Sequence, residues 1–208
     1  VSAGVLVADH VSTPLQRMPA AGELVLADGL LLNIGGLAAN VAVALGKWRY
    51  NPLVCGRVGD DPFGRFVSET LADAGAVISG LAIDKDRPTS QTLILNVKGE
   101  DRRFVHNFGA NAGFCAADLE PVLQPPPRVL YLGGFLILPA LDPFELGELF
   151  ARVRASGTLT VLDVACPGPA DYVSRLEPVL PHTDVFLPNT DEAALILQGE
   201  RDPIRQAE

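Results

Sequence analysis

The sequence predicts an α/β domain of three layers built around a mostly parallel sheet. Three observations carry that reading. Short apolar runs of strand length recur at 5–8, 53–55, 129–132, 159–162 and 184–187, separated by stretches of helical composition. The runs are apolar at successive positions, as in strands covered on both faces, where a half-exposed strand would alternate. Asp61-Pro62 and Asp142-Pro143 fall where the alternation requires a helix to begin. An Asp side chain accepts from the free amides of the first turn, and Pro has no amide to leave unpaired there.

Taken in order, residues 5–8 form a buried strand ending at Asp9-His10. The chain is then irregular through Pro14, Pro19 and Gly22, and its apolar run 24–32, broken by Asp28-Gly29, suits edge strands joined by a turn. Gly35-Gly36 opens a helix over 38–45 whose Ala and Val side chains are small enough to pack closely on a sheet. Residues 53–55 are a strand, and 63–74 a helix that Gly75 closes in the left-handed conformation. Segments 92–97 and 103–108 flank Lys98-Gly99-Glu100-Asp101 as a hairpin. A hairpin interrupts the alternation, so it leaves the main sheet. The rhythm returns with a strand ending at Gly133-Gly134 and a helix from Asp142 to Gly157. A strand ending at Asp163, a strand ending at Pro188-Asn189 and a helix over 191–197 follow. Pro125-Pro126-Pro127 is a stiff connector. Ligands of such sheets gather at the carboxyl ends of strands, where Asp9, Gly35, Gly133, Asp163 and Asn189 all fall.

Composition removes several classes of function. The chain has 208 residues, with 16 basic against 25 acidic side chains and a formal net charge of -9. No stretch collects Lys and Arg, which argues against a nucleic-acid partner and against an anionic membrane surface. No apolar run reaches the ~18 residues that span a bilayer. The opening VSAGVLVADH has no basic region or signal-length apolar core. Cys55, Cys115 and Cys166 are few and widely spaced, as in a reducing cytoplasm. His10, His106 and His182 show no zinc-type spacing. The chain begins at Val1 without Met, and Asp202-Pro203 opens a helix just before Glu208, so it reads as a fragment or trimmed product.

Four segments bear on chemistry, each with a structural alternative. Gly35-Gly36-Leu37-Ala38-Ala39-Asn40 lets backbone approach a ligand at a helix N-terminus, or is only a tight strand-to-helix turn. It is not the Gly-x-Gly-x-x-Gly of dinucleotide folds. In Val58-Gly59-Asp60-Asp61-Pro62-Phe63-Gly64 the two carboxylates are a metal pair or, more simply, a cap and a favourable charge on the helix dipole. Asp163 is a ligand group or a turn cap. Asn189 and Glu192 share a helix face and either address a hydrated Mg²⁺ or cap the helix.

In this order the segments resemble the ribokinase-like (PfkB) family of carbohydrate kinases. The resemblance rests on Ala8-Asp9-His10, the 35–40 and 58–64 segments, Phe108-Gly109-Ala110-Asn111 at the hairpin's end, Leu159 to Asp163, and Asn189-x-x-Glu192. It implies a ribokinase-like α/β/α core over 1–9, 33–87 and 109–208, with a small β lid from 10–32 and 88–108. It implies ATP-dependent, Mg²⁺-assisted phosphorylation of a hydroxyl on a small sugar by a cytoplasmic enzyme, and a homodimer through the lid. Carried onto this chain, the substrate-binding residues are Asp9, Gly35, Gly36, Asn40 and Asn107, with Asn189 and Glu192 organising Mg²⁺ and phosphate.

The departures from the family pattern are specific. The Gly-Ala-Gly-Asp element, with its general-base Asp and anion hole, is expected beyond Glu208, together with most of the nucleotide pocket, so this chain alone is expected not to turn over. Arg49 stands where the family carries Gly. Leu37 and Gly133-Gly134 stand where ribose-type members carry a Lys and an acid, and the stretch after Asp163 lacks the Asn and Arg of relatives that use acidic sugars. The rival reading is a non-catalytic sugar- or nucleoside-binding, regulatory relative of the same fold.

Overall fold

In the computed structural model, which describes residues 1–207, the strands divide between two sheets. The elements run β1 (Ser2–Gly4), β2 (Val7–Ser12), β3 (Leu30–Gly35), α1 (Leu37–Lys47), β4 (Leu53–Gly59), α2 (Pro62–Asp73), β5 (Val77–Asp84), β6 (Gln91–Leu95) and β7 (Arg103–Asn107). They continue as α3 (Ala116–Leu119), β8 (Val129–Gly133), α4 (Pro143–Ala155), β9 (Leu159–Asp163), α5 (Val173–Leu176), β10 (Val185–Leu187), α6 (Thr190–Ile196) and α7 (Pro203–Ala207). Six strands in the order β10-β9-β8-β1-β4-β5 make the central sheet, and every pairing in it is parallel. The second sheet has the order β3-β2-β6-β7, antiparallel at both edges and parallel between β2 and β6.

Helices cover both faces of the central sheet, which makes the three layers. One apolar cluster joins Leu6, Val54 and Val58 to Ala38, Ala39 and Ala42 of α1 and to Val67 and Leu71 of α2. The other joins Leu130, Leu132 and Leu162 to Phe114, Phe135 and the α4 residues Leu146, Leu149 and Phe150. The small side chains of α1 do what their size predicts: Ala38 and Ala42 are fully buried, and Ser2 Oγ donates to the Ala38 carbonyl at 2.8 Å. The two acidic caps form as read. Asp61 accepts from the Gly64 amide at 2.8 Å, and Asp142 accepts from the Phe144 and Glu145 amides at 2.8 and 3.1 Å.

Three local features depart from the sequence reading. The run at 5–8 is not one strand: β1 belongs to the central sheet and β2 to the second, with the break at Val5-Leu6. Neither sheet pairs Leu6 there, and the buried Asn111 takes over. Leu6 N–H donates to Asn111 Oδ1 at 3.3 Å, and Asn111 Nδ2 donates to the Leu6 carbonyl at 2.8 Å. Strand β5 had no signal of its own, because as an edge strand it does not present a continuous apolar run and Gly80 interrupts it. Of the run 24–32 only the end becomes strand, and Leu24 and Leu26 are exposed. After α1 the turn is rebuilt without Gly, Arg49 and Asn51 adopting φ of 63° and 46°. Among the described residues no helix is long and apolar enough to cross a membrane.

Candidate active site

Strand register assembles the first end of the site. In the second sheet Asn33, Asp9, Thr92 and His106 stand opposite one another on β3, β2, β6 and β7. Directly opposed residues project to the same face, so the four form one polar row. Thr92 Oγ1 lies 3.0 Å from His106 Nδ1. Burial raises the Asp9 carboxyl above its usual range, while the Thr92 hydrogen bond and the nearby His106 and His10 pull it back. Burial lowers the His106 imidazole, and Asp9 opposes that shift. His10 points to the other face, where its ring packs edge-on against Phe63 at 5.1 Å and Nε2 lies 3.0 Å from Gln91 Oε1.

The two glycines have separate duties. A Cβ on Gly35 would lie 1.9 Å from Asp9 Oδ2, so the carboxylate rests on the bare backbone at the end of β3. Gly36 takes φ +90°, and a Cβ there would lie 2.4 Å from the Val5 carbonyl. Helix α1 starts at this turn without any side-chain cap. The Ala38 amide of its first turn donates to the Val5 carbonyl at 3.2 Å, and Asn40, one turn in, is exposed. Asn107 is exposed at the end of β7, opposite Gln91, and its Oδ1 accepts from the Gly109 amide at 3.1 Å. Strand alternation puts it on the His10 face. His106 is the β7 residue on the Asp9 row. The sequence did not single it out, since its place depends on register between strands far apart in the chain.

The second end lies at the carboxyl ends of β8, β9 and β10. Tyr131 donates its hydroxyl to Asp163 Oδ2 at 2.5 Å, and the Val164 amide donates to Oδ1 at 2.9 Å. A Cβ on Gly133 would lie 2.7 Å from Leu37 Cβ and 2.9 Å from the Tyr131 hydroxyl. Leu37 and Tyr131 thus fill the space in front of Gly133. Asn189 and Glu192 form a capping box on α6. Asn189 Oδ1 accepts from the Asp191 and Glu192 amides at 3.0 and 2.9 Å, and Glu192 Oε2 accepts from the Asn189 amide at 2.9 Å. Burial raises the Glu192 carboxyl, the Asn189 and Cys166 amides oppose it, and the charge of Asp163 adds to the rise. Burial also raises Asp163, against its two hydrogen bonds. Burial and Glu192 push the Cys166 thiol up to about 11, which leaves it an inert thiol at neutral pH.

Among the described residues no three His, Cys, Asp or Glu side chains gather closely enough to hold a metal by themselves. The donor set at this end still fits Mg²⁺ of the kind that keeps waters and leans on substrate phosphates, since the charge of Asp163 adds to the raised proton affinity of Glu192. The 58–64 segment turns out to be scaffolding. Asp61 also accepts from the Thr89 amide and hydroxyl at 2.8 and 2.7 Å, which ties α2 to the start of the second sheet's hairpin.

Comparison with known proteins adds the following. The pattern described as pfkB family carbohydrate kinase matches residues 2–208. A fructokinase from Vibrio alginolyticus is 42% identical over 67 residues, 32% of this chain and 22% of the relative. A ribokinase from Haemophilus influenzae is 25% identical over 195 residues, 93% of this chain and 60% of the relative. The crystal structure of a fructokinase with bound ATP from Xylella fastidiosa superposes with a TM-score of 0.78 at 23% identity, covering 99% of this chain and 66% of that one. The chain thus spans less than two thirds of these relatives' own length.

Proposed function

The chain belongs to the pfkB family of carbohydrate kinases, and on that premise we propose that its parent protein transfers a phosphoryl group from ATP to a hydroxyl of a small sugar. The observation that carries the reading is the Asp9 carboxylate resting on Gly35, beside the uncapped first turn of α1. A half-buried carboxylate with bare backbone beneath it, at the start of a helix without a side-chain cap, is suited to accept from the hydroxyls of a sugar. Asp9, Gly35, Gly36 and Asn40 would hold the sugar, with His106 at the rim. Phosphoryl transfer asks little covalent chemistry of a protein and much positioning, so a rigid strand-to-helix turn is a fitting platform.

ATP would supply the phosphoryl group and Mg²⁺ would neutralise its developing charge. Asn189 and Glu192, with Asp163 opposite, are the residues that would hold the ion. No Gly-Ala-Gly-Asp occurs in residues 1–208. We assign that element, and the general base in it, to a part of the parent protein after Glu208, and expect this chain alone to be inactive. The second sheet acts as the lid over the sugar. Its exposed Leu93 and Val105, opposed on the face away from Asp9, suit pairing with the lid of a second copy. The three unpaired cysteines suit the cytoplasm.

The test uses two proteins. Calorimetry on this chain with D-fructose and D-ribose should give binding to one of them that Asp9→Asn removes, with no ATP hydrolysis or sugar phosphate formed. The complete reading frame from the source should form a sugar phosphate. A complete frame that lacks the Gly-Ala-Gly-Asp element, or that binds sugar without turning over ATP, replaces this reading with that of a non-catalytic binding relative.

A further inference from the structure

Two cationic side chains among the described residues are half-buried, Arg57 and Arg175, and their surroundings differ. Arg57 makes a two-pronged contact with Asp118 at 2.9 and 3.0 Å and has Asp84 within 3.6 Å. Arg175, on α5, meets no carboxylate among the described residues. Its Nη2 donates to the Leu138 and Leu141 carbonyls at 3.4 and 3.1 Å, and its guanidinium carbon stands 5.2 Å from the centre of the Phe135 ring. Its Nε is buried and has no hydrogen-bond partner. Buried donors are rarely left so, and a buried charge without a counter-charge is costlier still. In a chain of net charge -9 an acidic partner would be easy to supply, yet none is placed there.

The guanidinium lines a small cleft with Phe108, Leu136, Ile137, Pro139 and Pro167. Apart from Arg175 these residues are apolar, and none is acidic. The cleft meets the sugar site through Phe108, which packs edge-on against His106 at 5.0 Å, at the end of the Asp9 row. Apolar walls weaken solvent screening, and with Nη2 held by the two carbonyls the guanidinium keeps its positive charge and an unused Nε–H donor for an oxyanion.

We propose that Arg175 forms an anion subsite at the far end of the sugar site, so that the substrate is a sugar carrying a terminal phosphate or carboxylate. The inference rests on the sugar-kinase reading for what the anion is attached to, and on Arg175 and its cleft alone for the anion.

The first measurement follows the Arg175 Nε–H resonance of the ¹⁵N-labelled chain, assigned by its loss in Arg175→Lys, as inorganic phosphate is added. A saturable shift is expected, and an unmoved resonance overturns the proposal. The second compares D-fructose, D-fructose 6-phosphate and D-gluconate by calorimetry. One of the anionic sugars should bind about tenfold tighter than fructose, the scale of one charge-assisted contact. Arg175→Gln should remove that advantage and leave fructose binding unchanged. Whether the phosphate or the carboxylate gains more identifies the substituent. An advantage that survives Arg175→Gln, or Asp9-dependent fructose binding that neither anion improves, overturns the subsite and leaves the kinase reading standing. Phosphate binding at Arg175 with no sugar bound by the wild-type chain upholds the subsite and removes the kinase reading.

Discussion

Asp9 and Asp163 stand at opposite ends of the candidate site, and both carboxyls are raised by burial. What surrounds them differs. Asp9 lies on a strand paired antiparallel to β3 and parallel to β6, near Thr92, His106 and His10, groups that are neutral or positive, on a floor of bare glycine backbone. Asp163 closes a parallel strand, takes the Tyr131 hydroxyl and the Val164 amide, and faces the carboxylate of Glu192. The first end can give and receive hydrogen bonds without a counter-ion, which is what a polyhydroxy ligand needs. The second concentrates negative charge and is relieved by a cation. One chain thus prepares two unlike surfaces with the same residue type, and neighbours rather than identity decide the role.

The largest effect should come from breaking the Asp9 end at its floor. Gly35→Ala puts a methyl where the Asp9 carboxylate lies, and the three nearest atoms are all of that side chain. Sugar affinity in calorimetry should fall by roughly 100-fold, since the carboxylate must leave its place. Chemical denaturation should show a stability loss below about 1 kcal/mol, because a flexible side chain yields where backbone would not. Gly36→Ala is the contrast. It forces a side chain into φ +90° and against the Val5 carbonyl, and should destabilise the fold by about 2–4 kcal/mol. Equal stability losses in the two variants would mean that Gly35 serves the turn rather than the site.

That contrast also marks how far the sequence was legible. The layers, the hairpin outside the main sheet, and the caps at Asp61 and Asp142 follow from local chemistry: apolar runs, turn residues, and Asp before Pro. Asp9, Gly35 and Gly36 were visible as a strand end followed by a glycine pair. The row Asn33–Asp9–Thr92–His106 was not, because register between β2, β6 and β7 is settled by packing across long loops. Tyr131 and Leu37 were likewise invisible as fillers of the space before Gly133, a matter of three elements converging. Strand β5 escaped because an edge strand lacks the continuous apolar signature that betrayed its neighbours. Asn189-x-x-Glu192 reads as a cap or an ion site, and the geometry serves the first role while leaving Asp163 opposite for the second.

A middle-sized effect should come from the Asp163 end. Tyr131→Phe removes one of the two donors to a half-buried carboxylate that already faces Glu192. No cation stands by to compensate, so the loss at pH 7 should be about 2 kcal/mol by denaturant titration, the scale of a hydrogen bond to a buried charged group. The matching change at the other end, Thr92→Val, should cost less, since the imidazoles of His106 and His10 remain beside Asp9. A Thr92→Val loss equal to or above that of Tyr131→Phe would remove the electrostatic distinction between the two ends.

The smallest effect is a matter of sign. His106 has a folded pKa below its ordinary value of 6.5, so the unfolded chain takes up the proton first as pH falls. Stability contributed by neutral His106 is therefore complete above the unfolded pKa and drains away as pH drops through 6.5 toward the lowered folded value. Asp9 works in the opposite sense. Its raised carboxyl gains a proton in the folded chain before the unfolded one, which returns stability at lower pH. The two should leave a shallow dip just below pH 6.5, held under about 0.5 kcal/mol because β7 is an exposed edge strand and solvent screens its charges. His106→Gln should remove the fall on the high-pH side of that dip when stability is followed by denaturant titration from pH 7.5 to 5. Asp9→Asn should deepen it, since the partner that steadies imidazolium is gone. If both variants leave the profile of the wild type unchanged, the Asp9 row is a line of hydrogen bonds without electrostatic coupling, and the difference between the two ends of the site rests on Glu192 alone.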